Sequence, residues 1–213
     1  MRTAAGHATV APDLRGHAMI RRNRDGEVLD AAVLLFGSKG YTATTVRDIA
    51  SAVGVLKGSV YHYTNSKEDL LFRICDGWHE GAAAIAAGAA QADGAAPRRL
   101  HDFVQAYVGY CLETIALMRV FTREGHHLGP DRREVFRARR REVESRLEHL
   151  VAATAGAGVD HELVLRTVHF ICGAINGLPD WYSEAGRLSA VEVAAEYATM
   201  ATGAVDAIAA EHE

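Results

Sequence analysis

A group of polar side chains at residues 57–62 has the composition of a surface that binds an anionic polymer. The run Lys57-Gly-Ser-Val-Tyr-His62 combines a cation, a hydroxyl and two rings that carry polar atoms. Lysine, tyrosine and histidine can donate to phosphate oxygens, a serine hydroxyl can reach base edges, and a glycine lets the backbone come close. These residue types predict contacts in the major groove of DNA from Lys57, Gly58, Ser59, Tyr61 and His62.

Two short helices joined by Gly54 are expected to position these side chains. Thr45 is followed by Asp48, and Ser66 by Asp69, which is the spacing of a capping box at the start of a helix. Gly54 can take the positive φ that a tight turn between two helices needs. With a third helix in front that supplies a core, the pattern predicts a helix-turn-helix.

The distribution of charge favours DNA contact at one end of the chain only. Residues 1–70 carry nine Lys/Arg and seven Asp/Glu, whereas residues 71–213 carry fourteen and twenty. The net charge of −4 therefore hides a mildly basic part on an acidic remainder, which argues against a bulk or architectural DNA-binding protein. Arg47 and Lys67, which flank the segment, are expected to add phosphate contacts.

Apolar residues recur at helical spacing through the rest of the chain, and no long stretch alternates with the period of a strand. The fold class expected is all-α, with a helix-turn-helix head and a helical body that binds a ligand and dimerises. The expected divisions are a flexible tail at 1–18, the head at 19–66 and the body at 67–213. Helices are expected at 20–38, 45–52, 56–63, 66–91, 97–122, 130–155, 160–182 and 189–210, with a break or short extra helix near 119–128.

Three runs of the head resemble one known family. They are Thr44-Thr-Val-Arg-Asp-Ile-Ala50, then Gly54-Val-x-Lys-Gly-Ser-Val-Tyr-His-Tyr63, then Ser66-Lys-Glu-Asp-Leu70. Together they resemble the N-terminal domain of the tetracycline-repressor (TetR) family, over about residues 22–72. The resemblance implies a homodimeric repressor that binds a palindromic operator. It also implies that residues facing DNA include Lys57, Ser59, Tyr61, His62 and Lys67, with Thr45 and Arg47 on the DNA backbone.

Two positions of the head depart from the pattern of that family. Leu56 stands where the family usually has Ser or Thr, so the second short helix lacks a side-chain N-cap worth about 1 kcal/mol. Thr64 stands where the family usually has Phe, which removes an aromatic ring from the core of the head. Either change could alter the angle of the second short helix, so contacts to bases are harder to assign than contacts to phosphates.

Residues 163–181 are apolar on nearly all sides, and the last helix has a similar stripe. A helix that is apolar all round is expected to face the core on one side and a partner on the other. We therefore expect these two helices to form a four-helix bundle with their twofold mates, although a purely intramolecular core is the alternative. The interface residues expected are Val164, Val168, Ile171, Gly173, Gly177, Ala194, Tyr197, Ala201 and Val205.

The segment Trp181-Tyr-x-x-x-Gly-x-Leu-Ser189-x-x-Glu192-x-Ala-x-Glu-Tyr197 resembles the C-terminal part of acyl-CoA-responsive members of the family. That resemblance implies a tunnel for a small hydrophobic effector such as a long-chain or sterol-derived acyl-CoA. A drug-like ligand, in a regulator of efflux or other genes, is the alternative. The lining residues expected, each of which could instead be ordinary core, are Phe103, Tyr107, Tyr110, Phe121, Cys172, Ile175 and Asn176.

The arginines of residues 132–141 allow two interpretations. They could bind the phosphates of a coenzyme A head group. They could equally form a solvated face paired to Glu142, Glu144 and Glu148, which is the interpretation that the charge pattern favours.

Other classes of protein and site find little support in the sequence. Three scattered cysteines suit neither a disulfide framework nor a metal site, and no metal or other cofactor is expected. A nucleophile–base set is lacking, so an acyl-CoA-handling enzyme is a remote alternative. No run of about 18 apolar residues and no signal peptide are recognisable, which predicts a cytoplasmic protein without a membrane partner.

Overall fold

Helices dominate the computed structural model, which describes residues 14–91 and 93–211. The all-α expectation is confirmed, and none of the described residues lies in a strand. No helix in these ranges has both the length and the apolar composition needed to cross a membrane. The helices in chain order are α1 (Leu14–Lys39), α2 (Val46–Ala52), α3 (Lys57–Val60), α4 (Lys67–Gln91), α5 (Ala96–Glu113), α6 (Ile115–Glu124), a 3-10 turn (Gly125–His127), α7 (Pro130–Ala155), α8 (His161–Asn176), α9 (Leu178–Trp181) and α10 (Ala190–Ala210).

The first helix begins earlier than the sequence indicates. Helix α1 starts at Leu14, so residues 14–18 of the expected flexible tail are helical. The remainder of that tail, residues 1–13, lies outside the described residues.

Two long helices expected from the sequence are each divided. The segment 97–122 breaks at Thr114, earlier than the expected break near 119–128, and a 3-10 turn follows at Gly125–His127. At the break, the Thr114 hydroxyl donates to the carbonyl of Tyr110 at 2.6 Å and accepts from the indole N–H of Trp78 at 3.1 Å. The segment 160–182 ends as α8 and resumes as α9, where Pro179 lacks the N–H needed to continue a helix.

Helices α1 to α3 form the head around a small apolar core. Phe36 on α1, Ile49 on α2 and Val60 on α3 are each at most 1% exposed. The capping box expected at Thr45 is present, because its hydroxyl accepts from the amide of Asp48 and the Asp48 carboxylate accepts from the amide of Thr45. Gly54 has φ of +67°, as the turn requires.

The two departures from the family pattern have different structural outcomes. Leu56 precedes α3 without any side-chain cap and is 81% exposed. Thr64 is buried, and its hydroxyl donates to the carbonyl of Ser66 at 2.8 Å and to a carboxylate oxygen of Asp69 at 3.1 Å. Hydrogen bonds at the start of α4 thus replace the apolar packing that an aromatic ring would supply there.

Helix α4 connects the head to the body. It packs against α5, α6 and α7, while α10 lies along α5 and α8 lies against α7. Trp78 of α4, Phe103 of α5, Met118 of α6 and Leu147 of α7 are all buried in the core that these helices share.

The difference between the two short helices in capping yields a stability prediction. Leu56→Ser should raise the free energy of unfolding by about 1 kcal/mol, because a serine hydroxyl can accept from an amide in the first turn of α3. Thr45→Ala should lower it by about 1 kcal/mol, since the capping box of α2 is lost. Urea unfolding followed by circular dichroism measures both.

Leu34 provides the matched control for this prediction. It is 69% exposed within α1, far from the first turn of that helix, so Leu34→Ser removes an exposed leucine without creating a cap. Leu56→Ser should raise the free energy of unfolding relative to Leu34→Ser. If the two variants change it equally, the missing cap does not limit the stability of the head.

Candidate DNA-binding surface and effector cavity

The outer side of α2 and α3 carries a shallow cleft that gathers several of the expected DNA contacts. Thr45, Arg47, Lys57 and Tyr61 line it, and the Tyr61 ring is 48% exposed. Neither Arg47 nor Lys57 has a hydrogen bond or ion pair with any residue that the structure describes. Lys39, by contrast, is neutralised by Asp48 at 2.9 Å. The cleft therefore presents two uncompensated cations beside a phenol.

Gly58, Ser59 and His62 belong to the same short segment. Gly58 and His62 are exposed, Ser59 is half-buried, and a side chain at Gly58 would meet no atom within 4 Å. Regular α-helix covers only Lys57–Val60, so Tyr61 and His62 lie in the turn that follows rather than in the longer helix expected at 56–63. A surface this open allows the backbone of α3 to approach a groove closely.

Lys67 is directed toward the protein and away from this cleft. Its ammonium donates to the carbonyls of Tyr41 at 2.8 Å and Thr44 at 2.9 Å, and lies 4.1 Å from the centre of the Tyr41 ring. Burial lowers the pKa of Lys67. Two of its three N–H donors thus hold the connector between α1 and α2, and at most one remains for a phosphate.

The body encloses an apolar cavity of about 30 Å³. Six of the seven expected lining residues surround it: Phe103, Tyr107, Phe121, Cys172, Ile175 and Asn176. Tyr110 does not, because its hydroxyl donates to the carbonyl of Trp78 at 2.8 Å and its ring occupies the space beside Gly81. A wider cleft of about 320 Å³ shares Phe121, Arg140 and Asn176 with the cavity and reaches the surface at His126.

Sequence reasoning missed the wall that α4 and α7 contribute to this cavity. Trp78 and His79 of α4 and Arg140, Val143, Glu144 and Leu147 of α7 complete the lining. His79 is 3% exposed and has its ring 5.0 Å from Trp78, 4.9 Å from Phe121 and 4.6 Å from Phe136, measured between centroids. Its spacing from the apolar residues Cys75 and Ala82 on α4 is the one signal that could have placed it inside.

Charge on His79 is suppressed by its surroundings. Burial, reinforced by the guanidinium groups of Arg139 and Arg140 and opposed by Asp76, lowers the pKa of the imidazole to about 4. The ring is therefore neutral at pH 7 and carries one N–H donor and one nitrogen acceptor.

The arginines of α7 are engaged by carboxylates. Arg132 contacts Asp69 at 2.7 Å and Arg139 contacts Asp76 at 2.6 Å, so two of them join α7 to α4. Arg140 pairs with Glu144 at 2.6 Å on the cavity wall. Three more ion pairs lie along the exposed face of α7, formed by Arg137 and Arg141 with Glu134 and by Arg146 with Glu142, while Glu148 faces His161 instead.

The apolar stripe expected to form a dimer interface lies inside the chain. Six of its residues are at most 4% exposed in the single chain: Val164, Val168, Ile171, Ala194, Ala201 and Val205. The same helices expose a different apolar surface, which we call the α8–α10 face. Gly173 lies on it, and Gly177 is half-buried at the end of α8. A shallow depression in this face is lined by Phe170, Ala174, Tyr197 and Met200, together with the buried Val104, Ile171 and Ala201. A helix that is apolar on two sides does not show by its periodicity which side faces the core of the chain.

Two family models match the chain. Residues 28–74 match the model described as bacterial regulatory proteins, tetR family. Residues 93–205, more than half of the chain, match the tetracyclin repressor-like C-terminal domain. The transcriptional repressor KstR2 of Rhodococcus jostii (strain RHA1) is 48% identical over 58 residues, and KstR2 of Mycobacterium tuberculosis (strain ATCC 25618 / H37Rv) is 45% identical over 56. Each match spans only 28% of the relative's length.

Solved structures match over most of the chain. PfmR of Thermus thermophilus, a TetR family transcriptional regulator, has a TM-score of 0.76 and 27% identity, covering 83% of this chain and 97% of its own. The ketosteroid transcriptional regulator KstR2 of Mycobacterium tuberculosis has a TM-score of 0.77 and 25% identity. The match covers 84% of this chain and 93% of the KstR2 chain. AibR, solved with isovaleryl coenzyme A and operator DNA, shares the fold at 21% identity and a TM-score of 0.72, covering 83% and 97%.

Burial of a neutral histidine predicts a specific loss of stability in acid. Between the unfolded pKa of 6.5 and the folded pKa of about 4, the unfolded chain binds a proton at His79 that the folded chain does not. Stability therefore falls as the pH falls, by about 2 kcal/mol from this residue between pH 7 and pH 5. His79→Phe keeps an aromatic ring but cannot bind this proton. Its free energy of unfolding should therefore fall by about 2 kcal/mol less than that of the wild type between pH 7 and pH 5. Urea unfolding at both pH values measures the difference.

His161→Phe serves as the control, because the His161 side chain is 69% exposed. That variant should follow the pH dependence of the wild type. Equal pH dependence in His79→Phe and the wild type would show that His79 titrates normally.

Proposed function

The chain belongs to the tetracycline-repressor family of bacterial regulatory proteins, and we propose that it represses transcription as a homodimer released from its operator by a small hydrophobic effector. The observation that carries this proposal is the α2–α3 cleft, where Arg47 and Lys57 have no partner in the described part of the chain and flank Tyr61. A surface with two uncompensated cations and a phenol is suited to phosphates beside a groove.

The two heads of a dimer would read two half-sites. A helix-turn-helix dimer places its reading helices in successive major grooves, about one helical turn apart. Contacts from Arg47, Lys57, Tyr61 and His62 to the DNA backbone would supply most of the affinity, while Ser59 and the open backbone at Gly58 would face the bases. Lys67 would act indirectly, by fixing the connector that precedes α2.

Dimerisation is proposed through the α8–α10 face. Phe170 is 63% exposed and Met200 is 56% exposed, although both are large apolar side chains. Ala174 and Gly173 beside them are small enough to let a helix of a second copy approach. Twofold pairing of this face would give a four-helix bundle.

The cavity in the body is the proposed effector site. Its aromatic and aliphatic lining suits a hydrophobic molecule, and the cleft that opens at His126 gives a route to the surface. The names of two similar proteins support this class of effector: KstR2 is a ketosteroid regulator, and AibR was solved with isovaleryl coenzyme A. We propose a long-chain or sterol-derived acyl-CoA, with a drug-like ligand as the alternative.

The cleft of the body that opens at His126 contacts the head, and these contacts suggest how effector binding would change the position of the head. Gly125 and His126 line the cleft, and the neighbouring His127 stacks on Tyr41 of the head at 4.9 Å. The amide of Gly129 donates to Glu68 at 3.0 Å near the start of α4. An effector that displaces the 3-10 turn would thus shift the head and favour a spacing of the two heads that misfits the operator.

A gel-shift assay with the DNA upstream of its own gene tests the function. The protein should retard that DNA, and a long-chain acyl-CoA should reverse the shift. A shift that acyl-CoA leaves unchanged would favour a drug-like effector. The absence of any shift on upstream DNA would contradict the repressor proposal.

The two unpaired cations should each contribute to DNA affinity. Lys57→Ala and Arg47→Ala should weaken binding uniformly across sequences and reduce the slope of log K against log salt by about 2, since each head of a dimer loses one phosphate contact. Fluorescence anisotropy at several salt concentrations measures the slope. Arg187→Ala, which removes an exposed arginine of the body, should leave the slope unchanged. Equal slopes in all three variants would argue against the α2–α3 cleft as the DNA surface.

A charge placed in the α8–α10 face should break the dimer. Phe170→Glu should sediment as a monomer in analytical ultracentrifugation at concentrations where the wild type is a dimer, because an unpaired carboxylate would be buried at the interface. Val135→Glu is the control, since Val135 is 44% exposed on α7, away from this face. A Phe170→Glu protein that remains dimeric would place the interface elsewhere.

A further inference from the structure

The imidazole of His79 is a buried polar group with no partner. Only 3% of the residue is exposed, and neither ring nitrogen makes a hydrogen bond with any described residue. The rings of Trp78, Phe121 and Phe136 surround it and offer no strong acceptor or donor at contact distance. Since nearly all buried polar groups in proteins are hydrogen-bonded, two unmet nitrogens on one side chain call for a ligand or water.

His79 lines the effector cavity, and the charged groups nearby are already occupied. Arg139 is paired with Asp76, and Arg140 is paired with Glu144 at the cavity wall. The ring nitrogens of His79 are therefore buried polar atoms of the cavity that a ligand can satisfy without breaking an ion pair.

Aromatic rings shape the rest of the cavity. Trp78 stacks on Phe121 at 4.9 Å, and Phe103 stacks on Tyr107 at 5.7 Å. Flat walls of this kind favour a rigid ring system, which also loses less conformational entropy on binding than a flexible chain. The cavity of about 30 Å³ has room for one or two waters, so an effector that enters from the cleft must displace side chains that line both spaces, which are Phe121, Arg140 and Asn176.

We propose that His79 is the residue that selects the effector, through a hydrogen bond from its imidazole to a hydroxyl or carbonyl oxygen on an otherwise apolar, ring-containing molecule. The inference rests on the proposed function only in taking the cavity as the effector site. A hydroxyl fits best, because it can either accept from the N–H of a neutral imidazole or donate to the unprotonated nitrogen, whereas a carbonyl oxygen can only accept. A hydrocarbon of the same shape would fill the cavity and leave both nitrogens unmet.

Indan-2-ol and indane form a matched pair of probes, since they share one fused-ring skeleton and differ by a single hydroxyl. Binding to the full chain can be followed by tryptophan fluorescence, because Trp78 lies in the cavity wall. The wild type should bind indan-2-ol about tenfold more tightly than indane, the ratio expected when one compound satisfies a buried group that the other leaves unmet.

Three variants assign that preference to His79. His79→Phe keeps an aromatic ring without nitrogens, so the affinity for indane should persist while the preference for indan-2-ol is lost. His79→Gln retains a donor and an acceptor and should restore part of the preference. His161→Phe, on the exposed end of α8, should keep the full tenfold ratio. Circular dichroism confirms that each variant is folded.

Several outcomes would overturn this inference. Equal affinity of the wild type for the two compounds would mean that water alone satisfies His79. A preference that survives in His79→Phe would place the hydrogen bond on another group, and the absence of binding by either compound would remove the effector site itself. The gel-shift assay is independent of these measurements, so a failure to bind upstream DNA would leave the role of His79 standing.

Discussion

Helix α4 is the part of the molecule on which the positions of both sites depend. It runs without interruption from Lys67 to Gln91, and 25 residues of α-helix extend roughly 37 Å. Its first turn fixes the head, because Lys67 binds two carbonyls of the connector between α1 and α2. Its middle supplies Trp78 and His79 to the wall of the cavity. A displacement of this one helix would therefore move residues of both the head and the cavity.

Ion pairs between α4 and α7 define how that helix lies on the body. Asp69 contacts Arg132 near the head, and Asp76 contacts Arg139 two turns further on. Although burial acts to raise it, hydrogen bonds from Asn65, Thr64 and Arg132 bring the pKa of Asp69 below its ordinary value. The arginine-rich composition of α7 thus serves interhelical attachment on one side and solvation on the other.

The sequence predicts the head well because its signals are local. A capping box at Thr45, a glycine with positive φ at residue 54 and apolar spacing on two short helices each depend on residues within a few positions of one another. The break at Thr114 could not be predicted in the same way. No proline or glycine stands at the break, and the hydrogen bond that the Thr114 hydroxyl accepts there comes from Trp78, 36 residues away.

In the cavity and on the DNA-binding surface, too, the sequence predicts some residues and not others. Half of the lining residues of the cavity were predicted from the sequence, yet His79 was not, since one histidine on an apolar helix does not reveal what surrounds it. Lys67 was expected to face DNA, but carbonyls more than twenty residues earlier in the chain determine where its ammonium lies. The apolar stripe of α8 likewise predicted that Val164 and Ile171 are buried, but its periodicity could not show that they are already buried within the single chain.

Selection of bound duplexes from a random-sequence DNA pool tests the central claim most directly, because the protein itself then reveals the operator sequence. The protein should enrich an inverted repeat whose two half-sites are centred about one helical turn, roughly 10 base pairs, apart. Enrichment of a single unrepeated site, or of no sequence at all, would contradict a dimer with two reading heads.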